Sequence, residues 1–352
     1  MMNRKWPLLV LLASVGSAAI AVACSETGPD ADPRKSGCIS EGCYDASGPF
    51  GDGGGGPGTD GSPGPGTDGG PAGFGNPIDG VNPLAATLVK NGFQAAEGPV
   101  WIGGRLLFGD VQSSPTVILQ LEADNSTTVF RTPGNGPIGN AVDNTERLVT
   151  CESRSRLVVR SAATMGAAKT TIASQFNGKP FNSPNDVIVR SDGNIYFTDP
   201  DYGADPDAAT PRQPKQSVFR INPGGTVSLV KAYDTEPNGI ALSPDDNKLY
   251  VVDTAANTVT TWDLAGDGTA SNEQQFASVM GGDGMAVDKA GNVYVAGMDG
   301  IHVLDKTGAA LGTITVPEQP GNCTFGGADG KTLYITARTG LYSIKLNVPG
   351  LP

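Results

Sequence analysis

The chain has 352 residues, with 36 Asp and Glu against 24 Lys and Arg, and a formal net charge of −12. This balance, with no basic stripe or Lys/Arg cluster, argues against a nucleic-acid partner. The single His rules out a multi-His zinc site and weakens any Ser-His-Asp scheme.

In chain order, residues 1–23 read as an export signal. A short basic start, "NRK", leads into "WPLLVLLASVGSAAIAVA", and Cys24 follows. The apolar stretch is short and ends in small residues, which fits cleavage better than a spanning helix. "AVAC" resembles the lipobox of bacterial lipoproteins. That resemblance implies a lipidated Cys24, attachment to a membrane through acyl chains, and a place on the periplasmic side or the cell surface. Ser25 is compatible with outer-membrane sorting. Residues 24–83 then form a flexible tether. From 48 to 77 there are 14 Gly, 6 Pro and no Lys or Arg, too little apolar surface to offset the entropy of ordering. Cys38 and Cys43 precede this stretch in "GCISEGC", where an oxidising compartment allows a small disulfide loop.

From residue 84 to 352 one pattern recurs. Polar or Gly turn residues precede a short apolar run at "IGGRLLF", "DNTERLVT", "SDGNIYFT", "PDDNKLYVV", "KAGNVYVA" and "ADGKTLYIT". With the first strand residue as marker, the copies stand at Leu106, Leu148, Ile195, Leu249, Val293 and Leu333, at intervals of 42, 47, 54, 44 and 40 residues. This period, with short strands and Gly-rich turns, predicts an all-β fold, a six-bladed β-propeller with about four strands per blade. Cys151 and Cys323 fall within strand-like runs and are expected to be buried free thiols.

Upstream of each marker, a polar residue leads into another apolar run: Glu97, Asn140, Asn185, Asn238, Asp283 and Asn322. In a propeller the innermost strand of each blade lines the central channel. Six equivalent strand entrances therefore form a ring at its mouth. Turn preference alone explains one such residue. Six equivalent ones, none of them Ser, Thr, Lys or Gly, favour the ring. Two carboxylates and several amides, without His or Cys, make an oxygen-donor set that suits a hard divalent cation.

At this point the motifs carry a resemblance. "EGPVW", "NSPNDVIV", "IYFTDPDYG", "PNGIALSPD", "GDGMAVD" and "FGGADGKTLYIT" resemble the gluconolactonase, regucalcin and luciferin-regenerating enzyme family of six-bladed propellers, over about 90 to 346. The resemblance implies one divalent metal, held by Glu97, Asn185, Asn238 and Asp283. Calcium is the first expectation, with magnesium, manganese or zinc as alternatives. Asn140 and Asn322 become neighbours that face the pocket. One departure is Ser183, which stands where the regucalcin branch has an Arg that contacts sugar hydroxyls. The propeller phosphotriesterase has a similar four-oxygen site, so fold and metal do not fix the substrate.

The implied chemistry is the opening of a small-molecule lactone by a polarised carbonyl and an activated water. Asp283 is the base that the resemblance implies, in reach of both metal and water. Asp186 is the second candidate, with a structural hydrogen bond as its other reading. Glu152 and Tyr202 are candidates for substrate contact at the rim. Asp199 and Asp253 read as turn caps, and His302 as a packed or surface residue. A monomer is expected. The competing readings are a phosphotriesterase-like hydrolase and a membrane-tethered propeller that binds a protein or carbohydrate without chemistry.

Overall fold

The computed structural model describes residues 73–202 and 212–351. Each marker run forms a strand, and the turn before it has a local cause. Asp143 Oδ1 accepts Thr145 N at 2.9 Å, Asp192 Oδ1 accepts Asn194 N at 3.0 Å, and Asp245 Oδ1 accepts Asn247 N at 3.2 Å. Asp288 Oδ1 accepts Ala290 N at 2.9 Å and Asp329 Oδ1 accepts Lys331 N at 3.1 Å. A carboxylate bonded two residues on holds a tight turn. The first copy uses Gly103 and Gly104, both at positive φ.

The strands assemble into six four-stranded antiparallel sheets. Their first strands are Ala96–Ile102, Pro137–Val142, Val187–Val189, Pro237–Leu242, Met285–Val287 and Pro320–Gly326. Each first strand lies against the next, and the last lies against the first, which closes the ring. The sheets are the six blades of a β-propeller. Six apolar clusters fill the six junctions between consecutive blades. Ala141, Val149, Val187, Phe197 and Phe219, for instance, join the second blade to the third. A second strand is thus covered on both faces. This is why its sequence is a continuous apolar run instead of an alternation, and why Ile195–Asp199 and Val293–Gly297 are buried at every residue. The described residues contain no α-helix.

The two longest intervals carry insertions. Gln175–Phe176 pairs with Lys179–Pro180 ahead of the third blade. A long connection leads from Ile195–Asp199 to Gln216–Ile221 within it. The sixth blade takes its outer strand, Thr87–Asn91, from the start of the domain, paired with Gly340–Lys345. The packed chain begins earlier than the boundary at 84 that composition suggests. Ile78, Val81 and Leu84 lie against the junction of the last two blades, and Asn347 N donates to Pro77 O at 3.0 Å. Three apolar residues placed after the Gly/Pro stretch make that extension stick. Cys151 and Cys323 are buried free thiols. The export signal, Cys24, Cys38, Cys43 and the tether up to residue 72 lie outside the described residues. Among the described residues no helix is long and apolar enough to cross a membrane.

Candidate active site

The entrances of the first strands bring side chains from four blades together. Asn185 Nδ2 donates to Asn238 Oδ1 at 3.1 Å. Asn238 also bonds Asp283, and the charge of Asp283 acts on Glu97. Asn238 is oriented by its other partners. Its Nδ2 donates to Thr254 Oγ1 at 3.0 Å and lies 3.3 Å from the Tyr202 hydroxyl. With its nitrogen so engaged, its oxygen faces Asn185. Glu97 reaches the group because Gly321 stands at the entrance of the sixth blade. A Cβ at Gly321 would lie 2.5 Å from Glu97 Oε1.

Asn140, Asp186 and Asn322 form a lower tier. They line an axial cavity of about 450 Å³ whose walls include Val187, Ile240, Val287 and Phe325. Asn140 Nδ2 donates to Gly98 O at 2.9 Å, and its Oδ1 accepts from Thr150 Oγ1 at 2.8 Å. Asp186 accepts Val187 N at 3.0 Å and Ile240 N at 3.2 Å, and bonds the Asn322 side chain. Asn322 Oδ1 also accepts Cys323 N at 2.7 Å. The bonds from Asn140 to Gly98 and from Asp186 to Ile240 join neighbouring blades, and that between Asp186 and Asn322 joins the third blade to the sixth. Asp186 thus faces the cavity.

Glu152 is not brought to the rim. Its carboxylate is fully buried, 2.5 Å from Lys169 Nζ and 3.7 Å from Arg131 Nη2, and accepts from Ser155 Oγ at 2.8 Å. Two cations hold it at the junction of the first and second blades, which corrects the position that the sequence suggests. Tyr202 does stand at the rim, with its hydroxyl near Asn238 and its ring partly exposed. His302 pairs with Asp299 at 2.7 Å and has no place in the ring.

Glu97 and Asp283 are half-buried. Burial pushes the Glu97 carboxyl well above the usual range, and the charge of Asp283 pushes it further. Burial raises Asp283 to about 7, with Asp186 as the next cause. Arg338 acts in the opposite direction on both. Burial likewise brings Asp186 to about 7. Carboxyls that lose solvation and repel each other are relieved by a cation. Two carboxylates and two amide oxygens fit a hard divalent ion. Among the described residues no group of three or more His, Cys, Asp and Glu is placed to hold a metal. The amides are therefore needed to complete any such set.

Three more carboxylates hold the loops that deliver the ring. Asp110 accepts Gln94 N at 3.1 Å and Ala95 N at 3.0 Å, just ahead of Glu97. Asp199 accepts Asn182 N and Ser183 N, each at 2.8 Å, ahead of Asn185. Asp253 accepts Glu236 N at 3.2 Å, ahead of Asn238. Asp199 and Asp253 are the caps that their strand-end positions predict. Sequence reasoning missed Asp110, although it stands four residues after its marker, as they do. It also missed Thr254 and Arg338, both one position further on in their blades.

The sequence profile of the SMP-30/gluconolactonase/LRE-like region matches residues 95–339. A gluconolactonase of Zymomonas mobilis is 29% identical over 294 residues, covering 75% of this chain and 82% of the relative. A pentonolactonase of Haloferax volcanii is 32% identical over 165 residues, covering 44% of this chain and 53% of the relative. Among solved structures, a gluconolactonase of Xanthomonas campestris aligns at a TM-score of 0.67 and 34% identity, over 75% of this chain and 89% of that one. The calcium-binding protein regucalcin of Agrobacterium tumefaciens shares the fold, at a TM-score of 0.64 and 20% identity over 76% of this chain and 95% of that one. The chain belongs to the SMP-30/gluconolactonase/LRE-like family.

Proposed function

We propose that the chain is a lactone hydrolase that works at this ring, with one divalent cation held by Glu97, Asn185, Asn238 and Asp283. The observation that carries the reading is the meeting of two destabilised carboxyls, Glu97 and Asp283, with the bonded amide pair Asn185 and Asn238. Relatives named as gluconolactonase and pentonolactonase support the reaction class. Calcium suits the oxygen donors and the two neutral amides best.

A cation bound there supplies Lewis acidity at the lactone carbonyl and charge for the oxyanion that develops. The chain does the proton work. Asp283 takes a proton from the attacking water as the water oxygen bonds to the carbonyl carbon. The ring C–O bond then breaks, the proton passes to the departing alkoxide oxygen, and the product is the open hydroxy acid. Asp186 is fixed by two backbone N–H groups and raises the Asp283 pKa through its charge. Thr254 and Tyr202 keep Asn238 in orientation.

The test is a screen of the purified full chain against hydroxylated lactones, alkyl lactones and phosphotriesters, with Ca²⁺, Mg²⁺, Mn²⁺ or Zn²⁺ added. Lactone hydrolysis that depends on an added cation is expected. Turnover of phosphotriesters alone shifts the reading to that hydrolase class, and no turnover of either makes the chain a binder.

We also propose export and lipid attachment through Cys24, on the strength of "AVAC" behind an apolar stretch. Cys24→Ala is expected to move the protein out of the membrane fraction. Unchanged fractionation without acyl mass on Cys24 sinks that part.

A further inference from the structure

Among the large apolar side chains left in solvent, Phe74 and Met165 lie on segments outside the strands. Leu88, Val129 and Leu229 lie on outermost strands, as scattered surface residues do. Tyr202, Met280 and Met298, which are 39%, 68% and 57% exposed, lie instead beside the ring.

A continuous set of contacts ties these three to the site. Met298 N donates to Met280 O at 3.1 Å. The Met298 side chain rests on Gly281, where a Cβ would come within 2.5 Å of Met298 Cγ. Gly281 has a φ of 57° and donates its N–H to Asn257 Oδ1 at 2.7 Å, so this seat is fixed. Gly282 O then accepts Thr254 Oγ1 at 2.6 Å, and Asp283 follows directly. Thr254 bonds Asn238, whose amide meets the Tyr202 hydroxyl.

Register places Met298 over the same mouth. It stands five residues after its marker, as Thr254 does in the fourth blade and Arg338 in the sixth. Thr254 bonds Asn238, and Arg338 acts on Glu97 and Asp283. The adjacent Asp299 carboxylate is engaged by His302.

We propose that the Tyr202, Met280 and Met298 arc receives an apolar substituent of the substrate, so that the preferred lactone carries an alkyl or aryl chain in place of ring hydroxyls. Thioether side chains adapt to apolar groups of varied shape. Hydroxyls pressed on them lose water without gaining a partner. The inference rests on the lactone-hydrolase reading of the ring.

The test measures kcat/KM of the cation-loaded full chain on three lactones of one ring size: glucono-δ-lactone, unsubstituted δ-valerolactone, and δ-decalactone with its pentyl chain. Wild type is expected to favour δ-decalactone over δ-valerolactone by roughly tenfold or more, the scale of apolar pocket discrimination. In the Met280→Gln/Met298→Gln double variant that ratio is expected to fall to about one. Because the readout is a ratio, partial loss of folded protein does not imitate the effect. A preference for glucono-δ-lactone, or an unchanged ratio in the double variant, overturns the inference and leaves the lactone reading standing. Hydrolysis of none of the three overturns both.

Discussion

Asp283 joins two demands in one carboxylate, a share in cation binding and acceptance of a proton. Asp283→Asn keeps an oxygen donor and removes the acceptor. At saturating cation its turnover is expected to fall about 10²- to 10⁴-fold, the usual contribution of a general base. Asn185→Asp is the control, because it adds charge and leaves the base in place. Near wild-type turnover in Asp283→Asn would make Asp283 a ligand only and Asp186 the next base to examine. The pH dependence has a definite sign. Glu97 and Asp283 have folded pKa values above their ordinary ones, Asp283 at about 7. Their contribution to the stability of metal-free protein is thus complete below the ordinary carboxyl range; the Asp283 part is lost as pH rises through about 7, and the Glu97 part as pH rises through its own raised value. A cation competes with those same protons. The gain in melting temperature on adding Ca²⁺ is therefore expected to be small at pH 5 and large at pH 8. An equal gain at both values would show that the cation binds elsewhere.

The loops and strands that deliver the ring depend on carboxylates of their own. Asp199 holds two backbone N–H groups in the turn that leads to Asn185. Asp199→Ala leaves both without their acceptor, at a cost of about 1–3 kcal/mol each for buried groups. Calorimetry is expected to show a clear drop in melting temperature, with weaker cation binding because Asn185 loses its setting. A stable variant with unchanged cation affinity would show that this turn forms without Asp199. Element-level features differed in how far the sequence revealed them. The six turns and second strands were legible, since a turn carboxylate, or the glycine pair of the first copy, and a two-sided apolar run are local properties. Asp110 was not, although its partners Gln94 and Ala95, 16 and 15 residues away, are no more distant than those of Asp199; its one signal, the position four residues after the marker that Asp199 and Asp253 share, shows only when the blades are set side by side. Glu152 misled because that position does not say what the side chain meets. Its strand-end position matches that of Asp199, while the cations that hold it, Arg131 and Lys169, come from other strands.

At the scale of the whole molecule, closure depends on Thr87–Asn91 completing the sixth blade and on Ile78, Val81 and Leu84 sealing its junction with the fifth. A chain that starts at residue 73 is expected to melt like the full chain. One that starts at 84 is expected to melt lower, since Ile78 and Val81 are lost, and one that starts at 92 to lose cooperative unfolding. A chain from 92 that melts normally would rule out closure by this strand. The blade count followed from the repeat alone, because each blade is a local unit. Which ring side chains rise to the mouth and which drop to the channel was only partly legible. Asn322 stands 11 residues before its marker, as Asn238 does, and Asn140 only 8 before its own, deeper in the strand; bonds to Gly98, Thr150, Cys323 and Asp186 set their lower position. The proposal that a single cation in the ring enables lactone opening is tested most directly by stripping the full chain with a chelator and titrating Ca²⁺ while δ-valerolactone hydrolysis is followed in a pH-stat. The predicted result is negligible hydrolysis in the stripped protein, rising to a plateau with one cation bound per chain. Full activity in the stripped protein would contradict it.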